Sequence, residues 1–258
     1  DDGQITEQMR MGTIQMNAPF TGVLPAFVPQ AEFFDLPFLF PSTESVYNAL
    51  HGEVGEIFNG YLEEIGLRVL GYWDGGFKHF TNSKRPIVTP EDLKGLKFRV
   101  SQSPLLSAQF EALGAQGISI SFNELYTALS QGTVDGQENV LANIYSRKFY
   151  EAQPYMTLSG HGYLGYVLMV SEDFYQSLPE DLQQILVEVA QEVTEWQWQI
   201  AAEQENGYLE AIREAGVEIV ELTPEQKQAF REATASVYDV FAEIEGSEDL
   251  IKAFENIK

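Results

Sequence analysis

The sequence predicts an α/β fold, and three observations support this prediction. The segment 92–139 alternates strand, helix, strand, helix and strand with almost no intervening loop. A helical pattern of apolar residues then extends over 181–215, which corresponds to about 50 Å at about 1.5 Å per residue. Finally, 258 residues with 44% hydrophobic content can bury the core of one large domain or of two smaller ones.

Composition excludes several classes of function. The net charge is -24, from 39 acidic and 15 basic residues, which argues against nucleic acid or an anionic membrane surface as a partner. The absence of cysteine excludes disulfides and thiolate metal sites. The histidines are scattered, and no nucleophile, base and orienting group occur together, so we expect no metal, no cofactor and no catalytic activity.

The N-terminal third predicts short elements around an aromatic segment. A helix ends at Gly12 and leads into a strand over 13–17, while helices follow over 42–52 and 55–65. A strand covers 67–72 and ends at Trp73, beside two glycines that indicate a crossing between lobes. Trp73 is placed there either to stack on a ligand or to pack in the core.

The central segment 92–139 has the clearest signals. Residues 96–101 alternate between apolar and polar, so Arg99 leaves the strand on the face opposite to Phe98. Ser103 begins a helix that ends at Gly114, a short strand covers 118–122, and a capping box opens a helix over 122–131. A third strand then ends in the amides and carboxylate of residues 137–139.

Arg99, Phe122 and Asn139 follow these strands closely enough to share one crevice. In open α/β sheets, ligands bind beyond the carboxyl ends of the strands. The guanidinium fork of Arg99 matches a carboxylate with two parallel hydrogen bonds. The alternative is that Arg99 is an ordinary surface arginine.

The C-terminal half predicts a helix over 140–151 and a strand over 163–171, then the long helix. Asn143 lies one helical turn beyond Asn139 on the same face, which makes it a further candidate ligand contact, with solvent exposure as the alternative. A strand over 217–222, a helix over 223–244 and a short terminal helix complete the chain.

The sequence also resembles a known family. The motifs DLKGLKFRV (92–100), FxExYxAL (122–129), QGxVDGQEN (131–139) and KFYE (148–151) are similar to those of DctP-type solute-binding proteins of tripartite ATP-independent periplasmic (TRAP) transporters. The resemblance covers nearly the whole chain. It implies a two-lobed, periplasmic-binding-protein-like (type II) clamshell with a long bracing helix. Family members begin with a further strand and helix, so we expect this N-terminal part to be missing here.

The resemblance also implies a set of ligand contacts. Arg99 takes the place of the arginine that clamps the ligand carboxylate, Asn139 that of a contacting asparagine and Phe122 that of an aromatic packed on the ligand. A second basic contact falls on Lys78 or His79, depending on one alignment gap. Gln30 stands where a glutamate is common.

A weak internal repeat adds one more candidate. Residues 9–17 (MRMGTIQMN) are similar to 129–137 (LSQGTVDGQ), which favours two lobes of similar build with Asn17 facing Asn139 across the cleft. The alternative is that helix, glycine and strand simply follow one another often in α/β proteins.

Together these patterns predict a monomeric periplasmic binding protein that closes around a small carboxylate ligand and delivers it to the TRAP membrane permease. Lobe I is expected to comprise residues 1–76 and 165–204, and lobe II residues 77–164 and 205–258. The hinge is expected near 73–77 and 163–166. The alternative function is a ligand sensor in which the same clamshell serves a signalling receptor.

Overall fold

The computed structural model describes residues 2–257 and has the predicted mixed α/β fold, built on one open seven-stranded sheet. The strands are β1 (Met16–Asn17), β2 (Leu67–Asn82), β3 (Lys97–Val100), β4 (Gln116–Ser119), β5 (Gly136–Asn139), β6 (Tyr155–Ser171) and β7 (Glu218–Glu221). The α-helices of the described residues are α1 (Asp2–Arg10), α2 (Thr43–Leu50), α3 (Glu53–Glu63), α4 (Pro104–Ala112), α5 (Leu125–Ser130), α6 (Leu141–Ser146), α7 (Glu172–Ser177), α8 (Glu180–Glu214), α9 (Pro224–Ala233), α10 (Val237–Ala242) and α11 (Ser247–Glu255). Short 3-10 helices connect several of them.

The sheet is organised around two long antiparallel strands. Its order is β1-β6-β2-β5-β3-β4, and β7 also pairs with β6. Strand β1 joins β6 near its C-terminal end and β7 joins it near its start. Strands β3, β4 and β5 run parallel to one another, so their carboxyl ends lie at one edge.

Both long strands extend beyond their predicted bounds. The sequence predicted β2 to end at residue 72 and β6 to begin at residue 163, whereas Trp73–Phe77 continues in β2 and pairs with Tyr163–Tyr166 of β6. The two predicted hinge segments are therefore hydrogen-bonded to each other. A register shift between Asp74 and Gly76, where Gly76 has a φ of +103°, bends the pair at this point.

The two similar sequence segments share one local geometry. Gly12 and Gly132 both have positive φ, and their backbone N–H groups donate to the carbonyls of Met9 and Leu129. The threonine that follows each glycine donates its N–H to the carbonyl five residues back. These are matching Schellman helix ends, each of which leads towards a strand.

Two predicted helices differ in detail. The helix predicted over 122–131 begins as a 3-10 turn at Phe122–Glu124 before α5. The helix predicted over 223–244 is divided into α9 and α10. The Thr234 hydroxyl, which follows α9, donates to the Phe230 carbonyl at 2.8 Å, a bond that competes with the regular helical ladder.

Helix α8 confirms the long helix of the prediction. Near its middle, Trp198 Nε1 donates to the Tyr72 carbonyl at 2.7 Å, and Trp73 Nε1 donates to Thr194 Oγ1 at 3.1 Å. Near its end, Ile212 is fully buried in a different hydrophobic cluster. The helix therefore packs against the middle of β2 and, near its own C-terminal end, against a second part of the core.

Between residues 2 and 257 the core is divided into three clusters, which contain Phe33, Phe98 and Phe149, respectively. The first cluster also contains residues of α10 and α11, because Phe241 and Phe254 pack against Phe33 with ring centroids 6.1 Å apart. The predicted lobe boundaries, whose outer ends at 1 and 258 lie outside the described residues, stay a prediction. These contacts favour placing α10 and α11 in lobe I.

Candidate functional site

The candidate site lies where the parallel strands end. Arg99 of β3 is opposite Gln137 of β5 in the parallel register, and Asn139 follows two residues later at the end of β5. Both polar side chains are buried, with Arg99 only 5% exposed and Asn139 only 4%. The interpretation of Arg99 as a surface arginine is therefore wrong.

The guanidinium of Arg99 is held at one nitrogen. Its Nε donates to the carbonyl of Ile120 at 2.8 Å, and among the described residues the structure shows no acceptor for its two terminal nitrogens. Burial lowers the pKa of Arg99 to about 10, and the nearby carboxylate of Glu138 acts against this fall. The group stays charged at neutral pH and offers its fork to an anion.

Asn139 and Asn143 form a small amide network. The Oδ1 of Asn139 accepts from Asn143 Nδ2 at 2.7 Å and from the backbone N–H of Val140 at 3.1 Å. A side-chain hydrogen bond joins Asn143 to Tyr166, whose pKa is raised by burial. The oxygen of Asn139 is thereby occupied, so this side chain has its N–H donors to offer to a ligand.

Lys78 is already part of a buried ion-pair network. Its Nζ lies 3.0 Å from Asp35 Oδ1 and 3.3 Å from Glu138 Oε2, and all three side chains are at least 94% buried. Burial by itself raises the pKa of Glu138, but Lys78, His161 and Arg99 together bring it down to about 2. The charge of Lys78 is thus compensated by two carboxylates.

His79 supplies no positive charge either. Its Nδ1 accepts from the backbone N–H of Gly160 at 3.2 Å. Burial lowers the pKa of His79 to about 3, with the positive charges of His161 and Lys227 acting in the same direction. Neither residue predicted as the second basic contact has a free charge here, and that contact stays a prediction.

Phe122 lies beside the site as half-buried aromatic surface. Its ring meets Phe149 edge-on, with centroids 5.9 Å apart. The guanidinium carbon of Arg147 lies 5.1 Å from the centroid of the Phe122 ring. Arg147 is exposed, and sequence reasoning missed it, although its spacing of four from Asn143 indicates the same helical face.

The other three predicted ligand contacts, Gln30, Trp73 and Asn17, either bond to other parts of the fold or have a side-chain donor without a partner among the described residues. Gln30 Nε2 donates to the Glu245 carbonyl at 2.8 Å, beside the C-terminal helices. Trp73 bonds to helix α8, as described above. Asn17 pairs with Met169 in the sheet, and its buried Nδ2 has no partner among the described residues. As ligand contacts, all three stay predictions.

Sequence reasoning missed a buried acid near the ion-pair network of Lys78. Glu32 Oε2 accepts from Ser103 Oγ at 2.9 Å and from the N–H of Leu105 at 3.1 Å. Burial, followed by the negative charge of Asp35, raises the pKa of Glu32 to about 7. Glu32 therefore titrates in the physiological range.

A cavity of about 210 Å³ lies elsewhere, between β2, α6 and α8. Its lining includes Asp74 and Glu205, and burial raises the pKa of both carboxyls. An anion would meet negative charge there, so the strand-end site is the better candidate for a carboxylate.

Neither a metal site nor a membrane-spanning helix is found among the described residues. No group of three His, Asp or Glu side chains in this part of the chain could hold a metal ion. Likewise, none of the helices between residues 2 and 257 is both long enough and apolar enough to cross a membrane.

Comparison with known proteins identifies the family. Residues 1–244 match the DctP model, described as bacterial extracellular solute-binding protein, family 7. The chain is 37% identical to the C4-dicarboxylate-binding protein DctB of Bacillus subtilis, covering 94% of this chain and 69% of the relative. It is also 37% identical to the C4-dicarboxylate-binding periplasmic protein DctP of Rhodobacter capsulatus, covering 96% and 75%. The chain belongs to the DctP family.

Solved structures agree with this assignment. A TRAP periplasmic solute-binding protein from Sulfurospirillum deleyianum with bound succinate is 40% identical, with a TM-score of 0.93, over 100% of this chain and 84% of the other. One from Chromohalobacter salexigens with bound D-glucuronate is 29% identical, with a TM-score of 0.96, over 100% and 85%. The predicted family and fold are confirmed.

Proposed function

We propose that this protein is the solute-binding component of a TRAP transporter and that it captures a small organic acid by a carboxylate at Arg99. The observation that carries the proposal is the buried guanidinium of Arg99, which is anchored at Nε and otherwise unpaired among the described residues. A bidentate bond to a carboxylate would satisfy this group. The relatives' names and bound ligands, which include succinate and D-glucuronate, support an organic acid as the ligand.

The proposed mechanism is capture by closure of two lobes. The carboxylate docks on Arg99, the N–H donors of Asn139 add hydrogen bonds, and Phe122 packs against the carbon chain. The paired segments Trp73–Phe77 and Tyr163–Tyr166 absorb the rotation of the lobes, since the strand pair is already bent between Asp74 and Gly76. The closed form then presents the surface that the membrane permease binds.

The relatives indicate where the protein is located and which class of protein it belongs to. The family is one of extracellular solute-binding proteins and its relatives include periplasmic proteins, which confirms the predicted location outside the cytoplasm. The relatives are binding proteins, and we propose that this chain likewise has no catalytic activity. They give no support to the sensor alternative. The monomeric state stays part of the proposal.

A thermal-shift screen of the purified protein tests the proposal. The panel contains succinate, other dicarboxylates, glucuronate, galacturonate and aromatic acids, with neutral sugars and amines as controls. A ligand at a hundred times its Kd adds about 2.7 kcal/mol, which raises the Tm by about 5 °C or more. A shift confined to acids supports the proposal. The proposal is contradicted if no acid in the panel raises the Tm and mass spectrometry shows that the purified protein carries no bound ligand.

A further inference from the structure

We infer that Arg147 is a specificity-determining residue that binds a second anionic group of the ligand, so that the site selects dicarboxylates over monocarboxylates. The inference rests on the proposed function, because it concerns the same site. It assigns a role to a residue that the motifs of the sequence did not indicate.

The position of Arg147 follows from helix α6. Asn139 is the last residue of β5, Asn143 lies in α6, and Arg147 directly follows α6, where its backbone N–H donates to the Asn143 carbonyl at 3.0 Å. The end of α6 that carries Arg147 is thereby tied to Asn143, a member of the amide network.

One contact places the guanidinium of Arg147 at the rim of the site. It lies over the ring of Phe122 at 5.1 Å. Phe122 follows Ile120 by two residues, and the Ile120 carbonyl holds Arg99. The positive charge of Arg147 also acts on the hydroxyl of Tyr166, which bonds to Asn143. Both arginines thus border the same stretch of polar and aromatic surface.

Lys78 and His79 leave the site without a second free positive charge, which Arg147 can supply. Lys78 is compensated by Asp35 and Glu138, and the low pKa of His79 keeps its ring neutral. Within residues 2–257, Arg147 has no ion pair, whereas its exposed neighbour Lys148 pairs with Glu151 at 3.5 Å. A site with one unpaired guanidinium at the centre and another at the rim suits a ligand with two separated negative groups.

The stacking on Phe122 explains how the group is held without being neutralised. A guanidinium over an aromatic face is attracted by the ring quadrupole and keeps its full charge and its donors. The ring therefore orients Arg147 before a ligand arrives. A monocarboxylate gains nothing from this arrangement once Arg99 has bound its only charge.

Calorimetric titration separates this role from a structural one. Wild-type protein, Arg147→Gln and the neighbouring control Lys148→Gln are each titrated with succinate, with the longer dicarboxylate glutarate, and with the monocarboxylates butyrate and glucuronate. We expect Arg147→Gln to lower the affinity for the dicarboxylate that wild type binds more tightly. The expected loss is roughly tenfold to a hundredfold, the range of a charge-assisted hydrogen bond. Monocarboxylate affinity should change less than about twofold, and Lys148→Gln should match wild type.

Each other outcome overturns the inference. Equal losses for dicarboxylates and monocarboxylates in Arg147→Gln would mean that Arg147 only supports Phe122. Arg147→Gln and Lys148→Gln could also bind dicarboxylates equally well, while acid binding still depends on Arg99. This result would show that Arg147 contacts no ligand group. Wild-type protein that binds no acid would refute the proposed function itself, a result visible before any Arg147 variant is titrated.

Discussion

Replacement of Lys78 by methionine should strongly destabilise the protein. Lys78 Nζ lies 3.0 Å from Asp35 and 3.3 Å from Glu138, in side chains that are 6%, 2% and 4% exposed. Lys78→Met fills the same volume but leaves two buried carboxylates without their cation. Removal of one member of a buried ion pair costs about 3–5 kcal/mol. At about 2–4 °C for each kcal/mol, the Tm should fall by about 6–20 °C.

The assay is thermal unfolding of the ligand-free protein followed by circular dichroism, with Lys84→Met as the matched control. Lys84 pairs with Asp135 at 3.2 Å, but its side chain is 50% exposed, so its loss should cost less than about 1 kcal/mol. The double variant Lys78→Met, Asp35→Asn should recover part of the loss, because one of the two uncompensated charges is removed. A Tm for Lys78→Met within about 2 °C of the Lys84→Met value would show that the buried ion pairs of Lys78 do not stabilise the fold.

Three further predictions concern pH and the braced strand. The folded pKa of Glu32 is raised to about 7, so its contribution to stability is complete below its ordinary pKa and is lost as pH rises through 7. Wild type should therefore lose stability relative to Glu32→Gln between about pH 5 and 8, and parallel pH curves of Tm would contradict this. The folded pKa of His79 is about 3, so its contribution is present above its ordinary pKa and is lost as pH falls towards 3. The His79 ring signal in an NMR titration should stay constant from pH 8 to 5, and a midpoint near 6.5 would show that the ring is solvated. Gln197 accepts from the Asp74 N–H at 2.8 Å and donates to its carbonyl at 2.7 Å, so Gln197→Met should cost about 1–3 kcal/mol, measured by urea unfolding; an unchanged midpoint would rule out this bracing.

The strand ends of the site were predictable from sequence because their signals are local. Alternation over 96–101 placed Arg99 on a strand, and the family motifs added the roles of Phe122 and Asn139. The structure brings Arg99 and Asn139 to one edge of the sheet because β3 and β5 pair in parallel. Which acceptors lie within reach of Arg99 depends on the fold, so its single anchor at Ile120 could not be predicted.

The partners of Lys78 could not be predicted for a related reason. Asp35 and Glu138 lie 43 and 60 positions away in the chain, and nothing in their local sequence marks them as buried. Carboxylates and bases occupy 54 positions in all, so chance pairings are numerous (39 acidic and 15 basic residues). The tertiary fold alone selects which of them meet.

The length of β2 was underestimated because Asp74 and its two glycines have the composition of a turn. In the fold, Gly75 lies so close to the Leu164 carbonyl that an added Cβ would be 2.5 Å from it. The glycines therefore permit two strands to stay close through a bend. Composition alone does not distinguish this use of glycine from a chain reversal.

The decisive contact of the proposed function is the one between Arg99 and the carboxylate of the ligand. Its most direct test is calorimetric titration of wild-type protein, Arg99→Ala and Arg99→Lys with the best acid from the screen, after each variant is shown to melt cooperatively. We predict no measurable binding by Arg99→Ala and a large loss in Arg99→Lys, because an ammonium group does not reproduce the two-donor fork. An affinity of Arg99→Ala within about threefold of the wild-type value would contradict this role, because the loss of one charge-assisted hydrogen bond lowers affinity by more than that.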